Sequence, residues 1–227
     1  MFGDGLMSHH ISKAGKDYLT FLNESDFLYL EGEMKGEMTL SDKKKLLEEH
    51  RANVATCTRC PLHVNRKNVV FGEGNPDADL VFVGEAPGEQ EDIQGRPFVG
   101  AAGKLLTKII KAMEMEREDV YICNVIKCRP PGNRDPLSEE IACCQGYLLK
   151  QLDIMKPKVI CALGRHAAHT LLDVTTPIMQ MRGNWYSFHG IPLLPTLHPA
   201  SLLYTPRNKH LVWEDMKKIM KKLKREE

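Results

Sequence analysis

Long apolar runs are missing from this chain of 227 residues: no stretch approaches the about 20 residues that a membrane-spanning helix needs. An excess of one charge is missing as well. Lys and Arg number 31 against 30 Asp and Glu, so bulk attraction to nucleic acid is excluded and only local basic clusters remain. Residues 1–16 mix glycine, histidine and charge, without the apolar centre of a secretory signal. Internal repeats and low-complexity linkers are absent too. These absences predict a cytoplasmic protein with no membrane partner, long enough to bury one large core.

What is there begins late. Residues 1–38 show no sustained periodicity, and Met34 and Met38 fall near their end. A poorly ordered N-terminal extension is expected, either a stretch ahead of a later start or a loosely packed tail. Residues 39–227 read as one domain. A charged helix carries Leu40, Leu46 and Leu47 toward Val54, and apolar runs at 79–83, 120–125, 158–163 and 192–197 read as strands. Helical spacing recurs at 102–113, after Pro136 with Asp135 as N-cap, at 164–172, and at 209–224, where the helix is basic and amphipathic. A short irregular hairpin is expected over 183–190. Strands alternating with helices predict an α/β fold: a three-layer α/β/α sandwich around a mostly parallel four-stranded sheet with right-handed crossovers.

Polar and aromatic groups gather where the strands end. The run Asp79-Leu80-Val81-Phe82-Val83 breaks into Gly84-Glu85-Ala86-Pro87-Gly88, with Glu91 beyond it. Then come Gly95-Arg96-Pro97-Phe98-Val99-Gly100, Asn124 closing a second run, and Leu197-His198-Pro199 closing the last. The carboxyl edge of a parallel sheet is where α/β proteins place ligands, so these segments describe one pocket. Gly103-Lys104 is not a phosphate-binding loop, because Leu105 stands where a hydroxyl should follow.

Seven cysteines in a reducing compartment argue against a disulfide framework. Cys57-x-x-Cys60 is a chelating pair; Cys123 and Cys161 lie within strands and read as small buried hydrophobes. That leaves Cys57, Cys60, Cys128 and either Cys143 or Cys144 as a four-thiolate site, suited to zinc or to an iron-sulfur cluster.

In order and content, Cys57-x-x-Cys60, Gly84-Glu85-Ala86-Pro87-Gly88 with Glu91, Gly95-Arg96-Pro97-Phe98-Val99-Gly100, Asn124-Val125-Ile126-Lys127-Cys128-Arg129-Pro130-Pro131, Cys144 and His198-Pro199-Ala200 resemble the family 4 (type 4) uracil-DNA glycosylases of bacteria and archaea. The resemblance runs from about Thr39 to the carboxyl end. It implies a uracil-DNA glycosylase-like fold, a [4Fe-4S] cluster rather than zinc, and Cys144 rather than Cys143 as the fourth ligand. Cys144-Gln145-Gly146-Tyr147-Leu148 departs from the family's Cys-x-Pro-Tyr-Leu at Gly146, and Ala101 replaces a frequent arginine. The segment after Cys128 lacks the inserted histidine of the covalently trapping relatives, and Glu85 separates the chain from a broader-substrate group.

The implied reaction is hydrolysis of the N-glycosidic bond of uracil in DNA, releasing free uracil and leaving an abasic site. A base inside a duplex is out of reach, so it must be flipped into a pocket. An Asn amide tells uracil from cytosine by donating to O4 and accepting from N3–H, which suits Asn124. Phe98 is the stacking face for the base. His198 is the donor to O2, and Glu91 is the general base or electrostatic stabiliser, with a wall against the thymine methyl as its alternative role. Glu85 shapes the pocket with Ala86, Pro87 and Gly88, and competes with Glu91 for the acid's part. Arg207 and Lys209 after His198, with Arg129 and Arg134 on the cysteine side, are the expected phosphate contacts. The chain is expected to act as a monomer; a sliding-clamp partner stays open. The alternatives are a catalytically silent iron-sulfur DNA-binding module and a glycosylase for another deaminated base such as hypoxanthine.

Overall fold

The computed structural model describes residues 38–224; the expected N-terminal extension lies outside them. The first helix, α1 (Leu40–Ala55), starts where Thr39 forms a capping box. Its Oγ1 accepts from the Asp42 N–H at 3.2 Å while the Asp42 carboxylate accepts from the Thr39 N–H at 3.0 Å.

The sheet has six strands rather than the four expected. The expected four are β2 (Leu80–Gly84), β3 (Tyr121–Asn124), β4 (Val159–Leu163) and β6 (Ile191–Thr196), all mutually parallel in the order β3-β2-β4-β6. Two short antiparallel strands close the edges: β1 (Glu73–Gly74) beside β3, and β5 (Tyr186–Phe188) beside β6. The added strands are two and three residues long, too short for an alternation pattern to show. The β5–β6 hairpin turns at His189-Gly190 and is the irregular element expected there.

The parallel strands are buried on both faces, as a sheet covered by crossover helices must be. On one face Val81, Val83, Cys123, Ile160 and Ala162 pack with Leu47, Val54, Leu148, Leu152, Ala167 and Leu171. These come from α1, α4 (Ser138–Met155) and α5 (Arg165–Leu172). On the other, Leu80, Phe82, Ile122, Cys161 and Leu194 pack with Leu106, Ile110, Leu202, Val212, Met216 and Ile219. The covering helices there are α3 (Ala101–Ala112), α7 (Pro199–Tyr204) and α8 (Lys209–Leu223). Three layers result.

One helix start differs from expectation, and two short helices were not expected. Helix α4 begins at Ser138 with Leu137 at its N-cap, so Asp135 and Pro136 precede the helix instead of opening it. The reason is Glu140, which accepts from the Leu137 N–H at 2.8 Å and ties Arg134 against the helix start. The segment carrying Glu91 also contains a short helix, α2 (Glu89–Gln94), ended by Gly95 at φ +68°. Between α5 and β5 lies the one-turn α6 (Ile178–Met181). No helix among the described residues is long and apolar enough to cross a membrane.

Candidate functional site

Register aligns the carboxyl ends of the parallel strands. Gly84 pairs with Asn124, and Leu163 with Thr196. Beyond β2 and β3 the chains stay joined: the Val125 N–H donates to Gly84 O at 2.9 Å and the Ile126 N–H to Glu85 O at 3.1 Å. A cavity of about 310 Å³ opens there, lined by Glu85, Ala86, Pro87, Gly88, Glu91, Phe98, Asn124 and His198, with Arg134, Asp135 and Ala200 among its other walls. The expected base-pocket residues therefore meet in one place. Asn124 is 1% exposed, and its Oδ1 is the buried side-chain nitrogen or oxygen without a hydrogen-bond partner among the described residues. A buried amide oxygen left unpaired costs about 1–3 kcal/mol, which a ligand N–H would recover.

Phe98 is held in a left-handed conformation, φ +52°, which is unfavourable for an aromatic residue unless neighbours enforce it. They do. Glu91 Oε1 accepts from the Val99 and Gly100 N–H groups, both at 2.8 Å. Arg117 donates to the carbonyls of Pro97 at 2.9 Å and Phe98 at 3.1 Å, and is itself paired with Glu73. Gly103 packs directly under the Phe98 peptide, where any Cβ would collide with its carbonyl. The Phe98 ring is buried in the fold and faces the His198 ring at 5.6 Å, tilted by 37°.

His198 sits at the N-cap of α7, its Nδ1 accepting from the Ala200 N–H at 3.2 Å. A neutral imidazole that accepts at Nδ1 carries its proton on Nε2. Burial pushes the His198 pKa down to about 4, against the opposing pull of Glu91, so the ring is neutral at physiological pH. Glu85 is shifted the other way, up to about 7, first by burial and then by the charge of Asp135, with Arg165 opposing. Beside it His166 Nε2 lies 3.1 Å from Asp135 and 3.9 Å from Glu85.

The cysteines form a second site, between α1, the loop after β3 and α4. Cys57, Cys60, Cys128, Cys143 and Cys144 line one cavity together with Arg66, Lys127 and Tyr147. Cys123 and Cys161 are fully buried in the sheet. The Cys128 sulfur accepts from Arg66 Nη1 at 3.3 Å, and the Cys144 sulfur from the Lys127 N–H at 3.3 Å. Among the described residues no three of these sulfurs lie within 4.8 Å of one another.

The family model of the uracil DNA glycosylase superfamily matches residues 71–223. The type-4 uracil-DNA glycosylase of Thermotoga maritima is 48% identical over 190 residues, covering 81% of this chain and 98% of that protein. That of Sulfurisphaera tokodaii is 48% identical over 182 residues, 76% of this chain and 83% of its own length. That of Archaeoglobus fulgidus is 44% identical over 181 residues, 76% and 91%. The chain belongs to the type-4 uracil-DNA glycosylases.

In this type-4 uracil-DNA glycosylase family member the four expected phosphate contacts differ in freedom. Arg207 and Lys209 are exposed beyond α7. Arg129 donates to Asn133 Oδ1 at 2.8 Å and lies 3.7 Å from Glu89, while Arg134 grips Glu140 through both guanidinium nitrogens. Arg134 is thus engaged in starting α4. Residues that sequence reasoning passed over are Arg117 and Glu73, which brace the Phe98 loop, and Asp92, 2% exposed, which accepts from the Lys67 N–H at 2.9 Å and anchors α2. Asp135 was read as a cap and stands in the pocket wall instead.

Proposed function

We propose that the protein flips uracil out of DNA and hydrolyses its N-glycosidic bond, leaving an abasic site and free uracil. The observation that carries this reading is the unpartnered Asn124 Oδ1 at the back of a base-sized cavity whose other walls are an aromatic ring and a neutral histidine. Asn124 accepts from uracil N3–H and donates to O4; cytosine offers the reverse pattern and would leave both amide groups unpaired. Phe98 takes the base face. As the bond from the sugar C1′ to N1 breaks, its electron pair passes into the uracil ring and gathers on O2, where His198 donates from Nε2. A neutral donor suits that task because it stabilises the anion without first surrendering a proton. Water held by Glu91 then bonds to C1′ and gives a proton to the Glu91 carboxylate, which passes it to solvent, while the uracil anion takes up a proton from solvent and leaves as free uracil.

Glu91 has one oxygen committed to the Phe98 loop and the other, Oε2, facing Gly88. In the proposed reaction Oε2 holds the water and its charge balances the cationic sugar. Glu85 shapes the uracil-side wall with Ala86, Pro87 and Gly88. Arg207 and Lys209, with Arg129 and Arg134, contact phosphates. On this reading the protein works as a monomer on DNA in the interior of a prokaryotic cell.

Cys57, Cys60, Cys128 and Cys144 are proposed to hold a [4Fe-4S] cluster. Tetrahedral zinc with bonds of about 2.3 Å needs sulfurs about 3.8 Å apart, and no three of the described sulfurs lie within 4.8 Å of one another, which supports a cubane, whose ligands stand farther apart. When bound, the cluster supplies a cross-link joining α1, the loop after β3 and α4. Anaerobically purified protein is expected to contain about four iron and four sulfide per chain. Cys144→Ser should abolish that content and Cys143→Ser should retain it; the reverse result would transfer the ligand to Cys143, which also lines the cavity.

The proposed reaction is tested with oligonucleotides carrying one uracil and matched controls carrying cytosine, thymine or hypoxanthine, followed by alkali. Strand scission at uracil is expected. Binding without scission would leave the silent DNA-binding module, and scission at hypoxanthine alone would move the activity to another deaminated base.

A further inference from the structure

Lys127 is an unusual occupant of a core. Its side chain is 1% exposed, and its ammonium bonds only neutral oxygens: the Asn124 carbonyl at 2.8 Å and Gln151 Oε1 at 2.6 Å. Burying an ammonium group is costly unless it is well bonded and electrostatically compensated, so a lysine kept here needs a use. Its surroundings are closely hydrogen-bonded. Gln151 is fully buried on α4, and its Nε2 donates to Phe71 O at 3.0 Å and to the Tyr121 hydroxyl at 3.2 Å. That fixes the amide so that Oε1 faces Lys127. The Lys127 carbonyl accepts from the Val70 N–H at 2.8 Å, and its own N–H donates to the Cys144 sulfur at 3.3 Å. One residue is thus held at the cysteine cavity, which it helps to line, while its side chain returns to the last residue of β3.

We propose that Lys127 is a positioning residue for base recognition, coupling the four-cysteine site to Asn124: its N–H seats on the Cys144 sulfur while its ammonium group fixes the Asn124 peptide. The proposal rests on the reading of Asn124 as the uracil-reading residue. Two contacts from this one residue join the cysteine site to the back of the pocket, the N–H at the Cys144 sulfur and Nζ at the Asn124 carbonyl. Filling the cysteine site and ordering the back of the pocket then become one event, although the two cavities share no lining residue.

The test uses the full chain purified with its iron. Lys127→Met keeps the length of the side chain and removes the charge and the donors. Inhibition by free uracil is expected to weaken about tenfold or more, the loss of one or two well-placed hydrogen bonds. Affinity for abasic-site DNA should stay within about threefold, because phosphate contacts dominate it. A general structural lesion would lower both, together with iron content and melting temperature. Unchanged uracil inhibition in a folded, iron-loaded Lys127→Met protein would overturn the proposal. Should that variant fail to fold, Gln151→Met decides, since it leaves Lys127 in place without its outer anchor: uracil inhibition weakened by about threefold or more with abasic-DNA affinity retained supports the coupling, and no change overturns it. Asn124→Ala in the same assay separates the two levels. Loss in Asn124→Ala but not in Lys127→Met overturns the coupling alone; no loss in Asn124→Ala overturns the reading of Asn124 and the coupling with it.

Discussion

His198→Ala is expected to slow single-turnover excision of uracil by about 100-fold or more, the effect of losing a donor aimed at a developing anion. The affinity for abasic-site DNA should be nearly unchanged, because the leaving group is no longer there. The pH profile gives a second check. The folded-state pKa of His198 is about 4, below the ordinary value of 6.5, so the neutral donor is fully populated down to about pH 5. Excision should therefore show no loss from protonation of this ring between pH 7.5 and pH 5.5. The same shift has a stability cost of known sign. Stability tied to the neutral ring is complete above pH 6.5 and is lost as pH falls through the window from 6.5 toward 4, where the unfolded chain binds the proton more readily. His198→Ala should flatten that part of the denaturation profile. An excision step near pH 6.5 that disappears in His198→Ala would instead mean that a protonated imidazole drives the reaction.

Glu91→Ala is expected to produce an equal or greater loss, about 10²- to 10⁴-fold in single-turnover rate, because two functions vanish together. One is the charge proposed to stand beside the sugar and the water. The other is the brace on the Phe98 loop, whose Val99 and Gly100 N–H groups lose their acceptor. Glu91→Gln separates them, since an amide oxygen still accepts from both N–H groups but carries no charge. Retained uracil inhibition with slow cleavage in Glu91→Gln would assign the carboxylate to the water. Parent-like cleavage in Glu91→Gln with a large loss in Glu91→Ala would make Glu91 a positioning residue for Phe98, and the acid's part would pass to Glu85.

Much of this site was legible before any coordinates. Glu85, Asn124 and His198 each follow an apolar run, and parallel strands must present such residues at a common edge. The covering helices were legible from their periodicity, and the four parallel strands from their apolar continuity. The edge strands were not, because two or three residues carry no period. The start of α4 was misplaced because Asp135-Pro136 has the composition of a helix start, while the tertiary partner Glu140–Arg134 moves the start to Ser138. The supports of the pocket were also illegible. Arg117 lies 19 residues from Phe98, and Gln151 lies 24 from Lys127, so neither pairing leaves a local pattern. A sequence announces what a strand end offers; it is silent about the distant side chain that keeps the offer in place.

Gly84, the last residue of β2, shows how a site is made by leaving something out. A methyl group there would fall inside contact distance of Asn124 Oδ1 and 2.6 Å from the Phe98 ring, so the amide and the ring proposed to bind uracil both occupy room that a side chain would claim. Its backbone is ordinary strand, and strands generally gain from exchanging glycine for a residue with a side chain. Here that gain is cancelled: a methyl group would have to displace a buried amide and a ring already braced in place, so the loss would fall on stability and on the pocket together.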